Sequence, residues 1–191
     1  TRVLYSLITL WLLVTIIFTF PNRPSFDLDA SWRMALGKFF LDGLQFGRDV
    51  VFTYGPLGFL MGKTYSGLLF WSLIAWQLFA ACSIALLIQY WGERLAAGWP
   101  RFFYFAFFLL FGVCYEDALH MLVIALIGFE LVRRVGRPWH WTTNLMLLLL
   151  AVQSVAKFTN LMLAALVVLT AAVFAFWKRL PGVTLRLLAW Y

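Results

Sequence analysis

The chain has 191 residues, 64% of them hydrophobic and 12% charged, with ten Trp, twenty Phe and a net charge of +7. A soluble domain carries about 45–50% apolar and about 25% charged residues, so this composition excludes an ordinary water-soluble globule. The charge does not point to nucleic acid either, because Lys and Arg stand at the ends of apolar runs rather than on one patch, as the positive-inside rule describes.

A bilayer-crossing helix needs about 20 apolar residues. The first run, residues 3–20, covers about 27 Å at a helical rise of about 1.5 Å per residue and stops at Pro21-Asn22-Arg23-Pro24. It is too long for the core of a signal peptide, and no small-residue cleavage site follows it. A polar and aromatic segment then runs to about residue 67, before a second run at 68–91. Arg94 and Arg101 mark the next loop, and a short aromatic run covers 102–113. Glu116-Asp117 interrupts. A fourth run, 118–132, ends at Arg133-Arg134 and Arg137-Pro138. A fifth covers 141–156, a polar break 157–160, and a sixth run, 161–177, ends at Lys178-Arg179 and Pro181-Gly182. A seventh begins near Val183.

This order predicts an all-α fold, a polytopic transmembrane helix bundle with about six to seven spans, forming a single transmembrane domain over residues 1–191. No sheet of three or more strands is expected, since a bilayer admits only helices or closed barrels and period-two alternation is missing. Cys82 and Cys114 form no disulfide framework. The chain starts at Thr1 without Met and stops at Trp190-Tyr191 inside a new apolar run, so it reads as the N-terminal part of a longer protein.

Alternating the runs sorts the charges. With the N-terminus cytoplasmic, Arg94, Arg101, Arg133, Arg134, Arg137, Lys178, Arg179 and Arg186 fall inside, and Lys157 alone falls in a short outer loop. Asp27, Asp29, Asp42, Asp49, Glu116 and Asp117 fall outside; Glu93 and Glu130 fall near the inner face. The expected location is the plasma (inner) membrane, multi-pass, with loop 21–67 outside.

Within that loop, Asp27 or Asp29 suits an N-cap, and Trp32, Ala35, Leu36, Phe39 and Phe40 recur at helical spacing. An interfacial helix near 30–41 follows, stopped by Gly43. Residues 46–54 read as irregular, Tyr54-Gly55-Pro56-Leu57-Gly58 as a turn, and 59–64 as a second short helix. Asp27 and Asp29 fit a helix cap with solvated charge, or a carboxylate placed at the membrane surface as base or metal ligand. Asp42 beside Lys38 and Asp49 beside Arg48 read as solvated ion pairs. Glu116-Asp117 reads as a hydrophilic turn or, with His120 one turn on, as a weak metal site. The one cofactor candidate is a divalent metal ion at Glu116, Asp117 and His120. Lys157 either snorkels to the interface or meets an anionic partner such as a phosphate. Glu130 with Arg133 and Arg134 reads as a helix-surface ion pair.

These motifs, in this order, resemble the N-terminal part of the GT-C superfamily of membrane glycosyltransferases, in the aminoarabinose-transferase and protein-mannosyltransferase-like group. That group carries an Asp-Glu motif followed by an aromatic and a small residue, where this chain has Asp27-Leu28-Asp29-Ala30-Ser31-Trp32. Its Pro-Pro-Leu-like motif corresponds to Tyr54-Gly55-Pro56-Leu57, its second-outer-loop acid to Glu116-Asp117-Ala118-Leu119, and its Thr-Lys-like motif to Ala156-Lys157-Phe158-Thr159. Two departures stand out: Asp-Leu-Asp replaces Asp-Glu, and Gly-Pro replaces Pro-Pro. The resemblance implies transfer of a sugar from a polyprenyl-phosphate carrier to a glycan, lipid or protein acceptor on the outer face, with the lipid bilayer as environment and no nucleic acid. It implies Asp29 or Asp27 as base, and Lys157, Arg33, Glu116, Asp117 and Tyr54 as donor-phosphate or substrate contacts. A transporter or channel, or a non-catalytic membrane subunit, is the alternative. The first would want acids near the bilayer midplane, whereas these acids cluster at one surface.

The charge asymmetry makes a topological prediction. A cysteine placed at Lys38 should react with a membrane-impermeant maleimide in intact cells; labelling from the cytoplasmic side alone would reverse the orientation.

Overall fold

The computed structural model describes residues 2–25, 27–65, 67–114 and 116–190, with the side chains at 2, 111–114, 116 and 190 outside that description. The described residues form helices and no strands: α1 (Arg2–Ile17), α2 (Leu28–Leu41), α3 (Phe59–Gly62), α4 (Phe70–Gly92), α5 (Trp99–Cys114), α6 (Glu116–Arg134), α7 (Trp141–Ala156), α8 (Phe158–Trp177) and α9 (Pro181–Trp190). Extended pairing is limited to isolated bridges, among them Asn22 with Thr64 and Tyr54 with Lys157.

Local chemistry sets the boundaries. Asp27 caps α2, its carboxylate accepting from the Ala30 amide at 2.7 Å, which satisfies one of the amides a helix start leaves open. α6 ends before Gly136, whose φ of +83° costs glycine little. His140 caps α7 through its ring nitrogen. α8 stops at Lys178 and Arg179, and Pro181 starts α9, where its missing amide is no loss.

Three boundaries differ from the sequence reading. The second loop helix stops at Gly62 rather than 64, because Lys63 turns left-handed at φ 51° and hands its carbonyl to the Asn22 amide at 2.7 Å. Glu116 and Asp117 are not a turn; they open α6, where acids complement the positive helix end. The polar break at 157–160 contracts to Lys157, since Thr159 and Asn160 lie in the first turn of α8.

The helices run back and forth between two ends. At one, Ser6 of α1 donates to Glu93 after α4 at 2.9 Å, and Tyr90 of α4 donates to Glu130 of α6 at 2.9 Å. At the other, Lys63 donates to Thr19 at 2.6 Å and Lys157 meets Asp117 at 2.8 Å. The core between them is built from Ile84 and Ile88 of α4, Val123, Ile124 and Ile127 of α6, and Met146, Leu149 and Leu150 of α7. α8 contributes Ala164, Ala171, Ala172 and Ala175, all buried; small side chains let neighbouring backbones approach closely. Leu163 and Val167 pack at the margin of that core.

Among the described residues two segments are long and apolar enough to cross a bilayer, Gly67–Gly92 and Phe158–Trp177; α1, α5 and α7 are apolar but shorter. Large apolar side chains stand exposed along the outward faces, including Trp11, Phe103, Leu110, Phe129, Leu166 and Phe176.

The α6–α8 contact is one that a substitution can probe. A Cβ at Gly128 would come within 2.8 Å of both Val167 methyls. Gly128→Val should therefore cost about 1–3 kcal/mol by overpacking. Thermal unfolding in detergent should show a clear fall in Tm. Gly182→Ala, where a Cβ meets nothing within 4 Å, should leave it nearly unchanged.

Candidate functional site at the loop end

The site grows from a helix break. Lys157 ends α7 and precedes α8 with φ −145° and ψ 129°, an extended residue between two helices. Backbone groups on either side of such a break need partners, and the loop supplies them. The Phe158 amide donates to the Thr53 carbonyl at 2.9 Å, and the Gly55 amide to the Ala156 carbonyl at 3.1 Å. Residues 53–55 thus lie antiparallel against 156–158, with Tyr54 opposite Lys157. Only glycine fits at 55: a Cβ there would sit 2.2 Å from the Val155 carbonyl oxygen. Glycine at 55 is accordingly required by this docking.

Side chains follow from that pairing. The Lys157 ammonium lies 5.0 Å from the centre of the Tyr54 ring and 2.8 Å from Asp117 Oδ2. The Lys157 side chain is 14% exposed and that of Asp117 69%, so the pair has one foot in the protein and one in solvent. Burial works against the Lys157 charge, but the Asp117 carboxylate and Tyr54 outweigh it, and the pKa stands above the ordinary lysine value. The ammonium is therefore charged throughout the physiological range.

The Tyr54 ring packs on Trp32 at 4.9 Å and on Phe52 at 5.8 Å between centroids, and Trp32 meets Phe52 at 5.6 Å. This aromatic patch joins the loop to α2. Trp32 Nε1 donates to Asp29 Oδ1 at 3.2 Å, and the Arg33 guanidinium lies over Trp32 at 5.2 Å. A continuous path of contacts thus links Asp29, Trp32, Tyr54, Lys157 and Asp117.

The two loop acids separate cleanly. Asp27 caps α2 and accepts from the Ser25 hydroxyl. That bond first, and the Ala30 amide next, hold its pKa below the ordinary carboxylate value. A lowered pKa makes a poorer proton acceptor. By linkage, the stability Asp27 contributes is present above the unfolded-state pKa and is lost as pH falls through the folded value. Asp29 has no capping duty and lies in the exposed first turn of α2.

The other expected residues fall as follows. Asp42 pairs with Lys38 at 2.9 Å. Asp49 accepts from the Gln45 amide at 2.9 Å and lies 3.9 Å from Arg48; both acids are engaged locally. His120 is buried along α6, and the Glu116 side chain lies outside the described residues. Among the described residues no three His, Cys, Asp or Glu side chains gather as a metal site.

One residue escaped the sequence reading. Gln153, a turn before Lys157 on α7, is fully buried, and neither of its amide atoms has a hydrogen-bond partner among the described residues. A Gln inside an apolar run four residues before Lys157 was the signal available.

The loop docking is testable through Gly55. Gly55→Ala should prise residues 53–55 from the helix break at about 1–3 kcal/mol. Amide exchange at Phe158 and at position 55 should speed up by about ten- to a hundredfold while the α4 core stays slow.

Comparison with known proteins adds no relative: no family model, no curated protein and no solved structure matches this chain.

Proposed function

We propose that the chain is part of a membrane glycosyltransferase of the GT-C type. It would sit in the inner membrane with six to seven crossings and take sugar from a polyprenyl-phosphate carrier at the outer face. The observation that carries this reading is the contact path from Asp29 through Trp32 and Tyr54 to Lys157 and Asp117, which puts a carboxylate, an aromatic patch and a cation at one end of the helices. The membrane setting is supported by the two long apolar helices among the described residues and by the large apolar side chains exposed along α1, α5 and α8, since contiguous exposed apolar surface marks a face turned to lipid or a partner.

The chemistry asks little more of these groups. An acceptor hydroxyl attacks the anomeric carbon of the donor and gives its proton to Asp29 as the new carbon–oxygen bond forms. The bond from that carbon to the phosphate oxygen breaks, and its electron pair leaves with the phosphate. Lys157 stabilises the charge that develops there. Asp117 is a positioning residue: it holds the ammonium in place and exchanges it for the donor phosphate when that arrives. Trp32 and Tyr54 offer ring faces to the sugar.

The reading separates Asp29 from Asp27 by experiment. Asp29→Asn keeps its size and cannot take the proton, so the full-length protein should fold normally and lose sugar transfer by about a hundredfold or more, measured in membranes with labelled polyprenyl-phosphate sugars. Asp27→Asn can still cap α2 and should retain most activity. Near-normal transfer by Asp29→Asn would sink the assignment. If Asp27→Asn were also active, a non-catalytic membrane subunit would become the better reading; the mutual compensation of Lys157 and Asp117 is the observation that favours it.

A further inference from the structure

The opposite end of the helices carries a second organised charge cluster. Sequence spacing makes Glu130, Arg133 and Arg134 a surface ion pair, but the structure buries Glu130 to 3% exposure. Its carboxylate accepts from Arg133 at 2.7 and 2.8 Å and from Arg134 at 2.6 Å. Tyr90 reaches across from α4, donating to Glu130 at 2.9 Å and accepting from Arg134 at 2.5 Å. Arg134 also donates to Thr142 at 2.6 Å and to Thr143 at 3.1 Å. A carboxylate this buried is costly unless its bonding is complete, and here it is spent on fixing two guanidinium groups.

Two further arginines stand beside this scaffold. The Arg94 guanidinium stacks on the Tyr90 ring, 3.2 Å from its centre, and donates to the Tyr90 carbonyl at 2.8 Å. Arg137 follows the end of α6. Among the described residues neither has a carboxylate within ion-pair distance. Glu93, next to Arg94, has its own carboxylate taken by Ser6 at 2.9 Å and Gln89 at 2.6 Å. Arg94, Arg133, Arg134 and Arg137, with Tyr90 and His140, line one open cavity of about 460 Å³. Four guanidinium groups and one carboxylate leave an excess of positive charge, and the side chains of Arg94, Arg133 and Arg134 are already held in place.

We propose that this cavity binds a phosphate group, carried in the membrane by the headgroup of an anionic phospholipid. Guanidinium forks match phosphate oxygens in geometry and form strong charge-assisted bonds, and the cavity has room for the substituents of a phosphodiester. The lipid source rests on the membrane reading given above. With the N-terminus cytoplasmic this end faces the leaflet in which anionic lipids attract basic side chains. The site is independent of sugar transfer and lies at the other end of the helices from Lys157.

The test uses the purified full chain in phosphatidylcholine nanodiscs, with binding read by native mass spectrometry and by the rise in Tm on titration. The probes are short-chain phosphatidylglycerol, short-chain phosphatidylcholine and inorganic phosphate. Phosphatidylglycerol should bind and phosphatidylcholine should not. An Arg94→Gln/Arg137→Gln variant, which leaves the Glu130 scaffold intact, should bind it about tenfold more weakly or worse, the loss expected for one or two charge-assisted bonds. Arg48→Gln, at the loop end, should bind as the parent does. Should the double variant fold poorly, Arg137→Gln alone, altered in a loop, serves with the same expectation. Inorganic phosphate binding as tightly as the lipid, and lost in the same variant, would keep the phosphate site but assign it to a soluble ester. Absence of binding by both phosphate probes, or binding indifferent to the arginine changes, would overturn the proposal whether or not the chain transfers sugar.

Discussion

The extended backbone at Lys157 is the constraint on which the loop end depends. A helix that stops for one residue and restarts leaves amides and carbonyls without their usual partners, and here residues 53–55 provide them. That pairing places Tyr54 against Lys157, and Tyr54 in turn carries the aromatic contacts that seat Trp32 and α2. Without the break residues 53–55 lose these backbone partners, and Asp29 loses its path of contacts to Lys157.

The two ends solve the same electrostatic problem differently. At the loop end one cation meets one acid, with the acid largely in solvent. Such half-exposed pairs contribute little to stability, roughly 0–1 kcal/mol, and so are easily rearranged around an incoming anion. At the arginine end the acid is the buried partner and the bonds around it are complete. A buried, fully bonded carboxylate is rigid, since removing one partner leaves an uncompensated charge. A labile pair suits a group that must change partners during a reaction, and a fixed one suits a surface that presents charge continuously.

Along α8, apolar side chains are largely divided by size. The alanines of α8 face inward and permit close helix approach, while Leu166, Leu169, Val173 and Phe176 of the same helix face outward. In water the larger residues would be the ones to bury, because burial gains about 25 cal/mol per Å². In lipid that driving force between helices disappears and packing of small residues takes over. The pattern of α8 is the one expected of a helix that meets lipid on its outer face.

The sequence by itself determined the helical class, the positions of the apolar runs within a few residues, the cap before α2 and the presence of a polar break near Lys157. These are local properties: composition, periodicity and capping chemistry act over one or two turns. It offered both Asp27 and Asp29 as caps of that helix; the bonds from Ser25 and Ala30 assign the duty to Asp27. It read Glu116-Asp117 as a turn, because adjacent acids in an apolar run look like an interruption, and the helix start they form depends on how α6 packs. It placed Glu130 on the surface, because spacing within one helix says nothing of Tyr90 arriving from another forty residues away. The meeting of Lys157 with Asp117, forty residues apart, and with Tyr54 was likewise decided by tertiary structure alone. Which distant side chains share an end of a bundle follows from helix packing and from the backbone bonds a break must find, and neither is written in any local stretch of sequence.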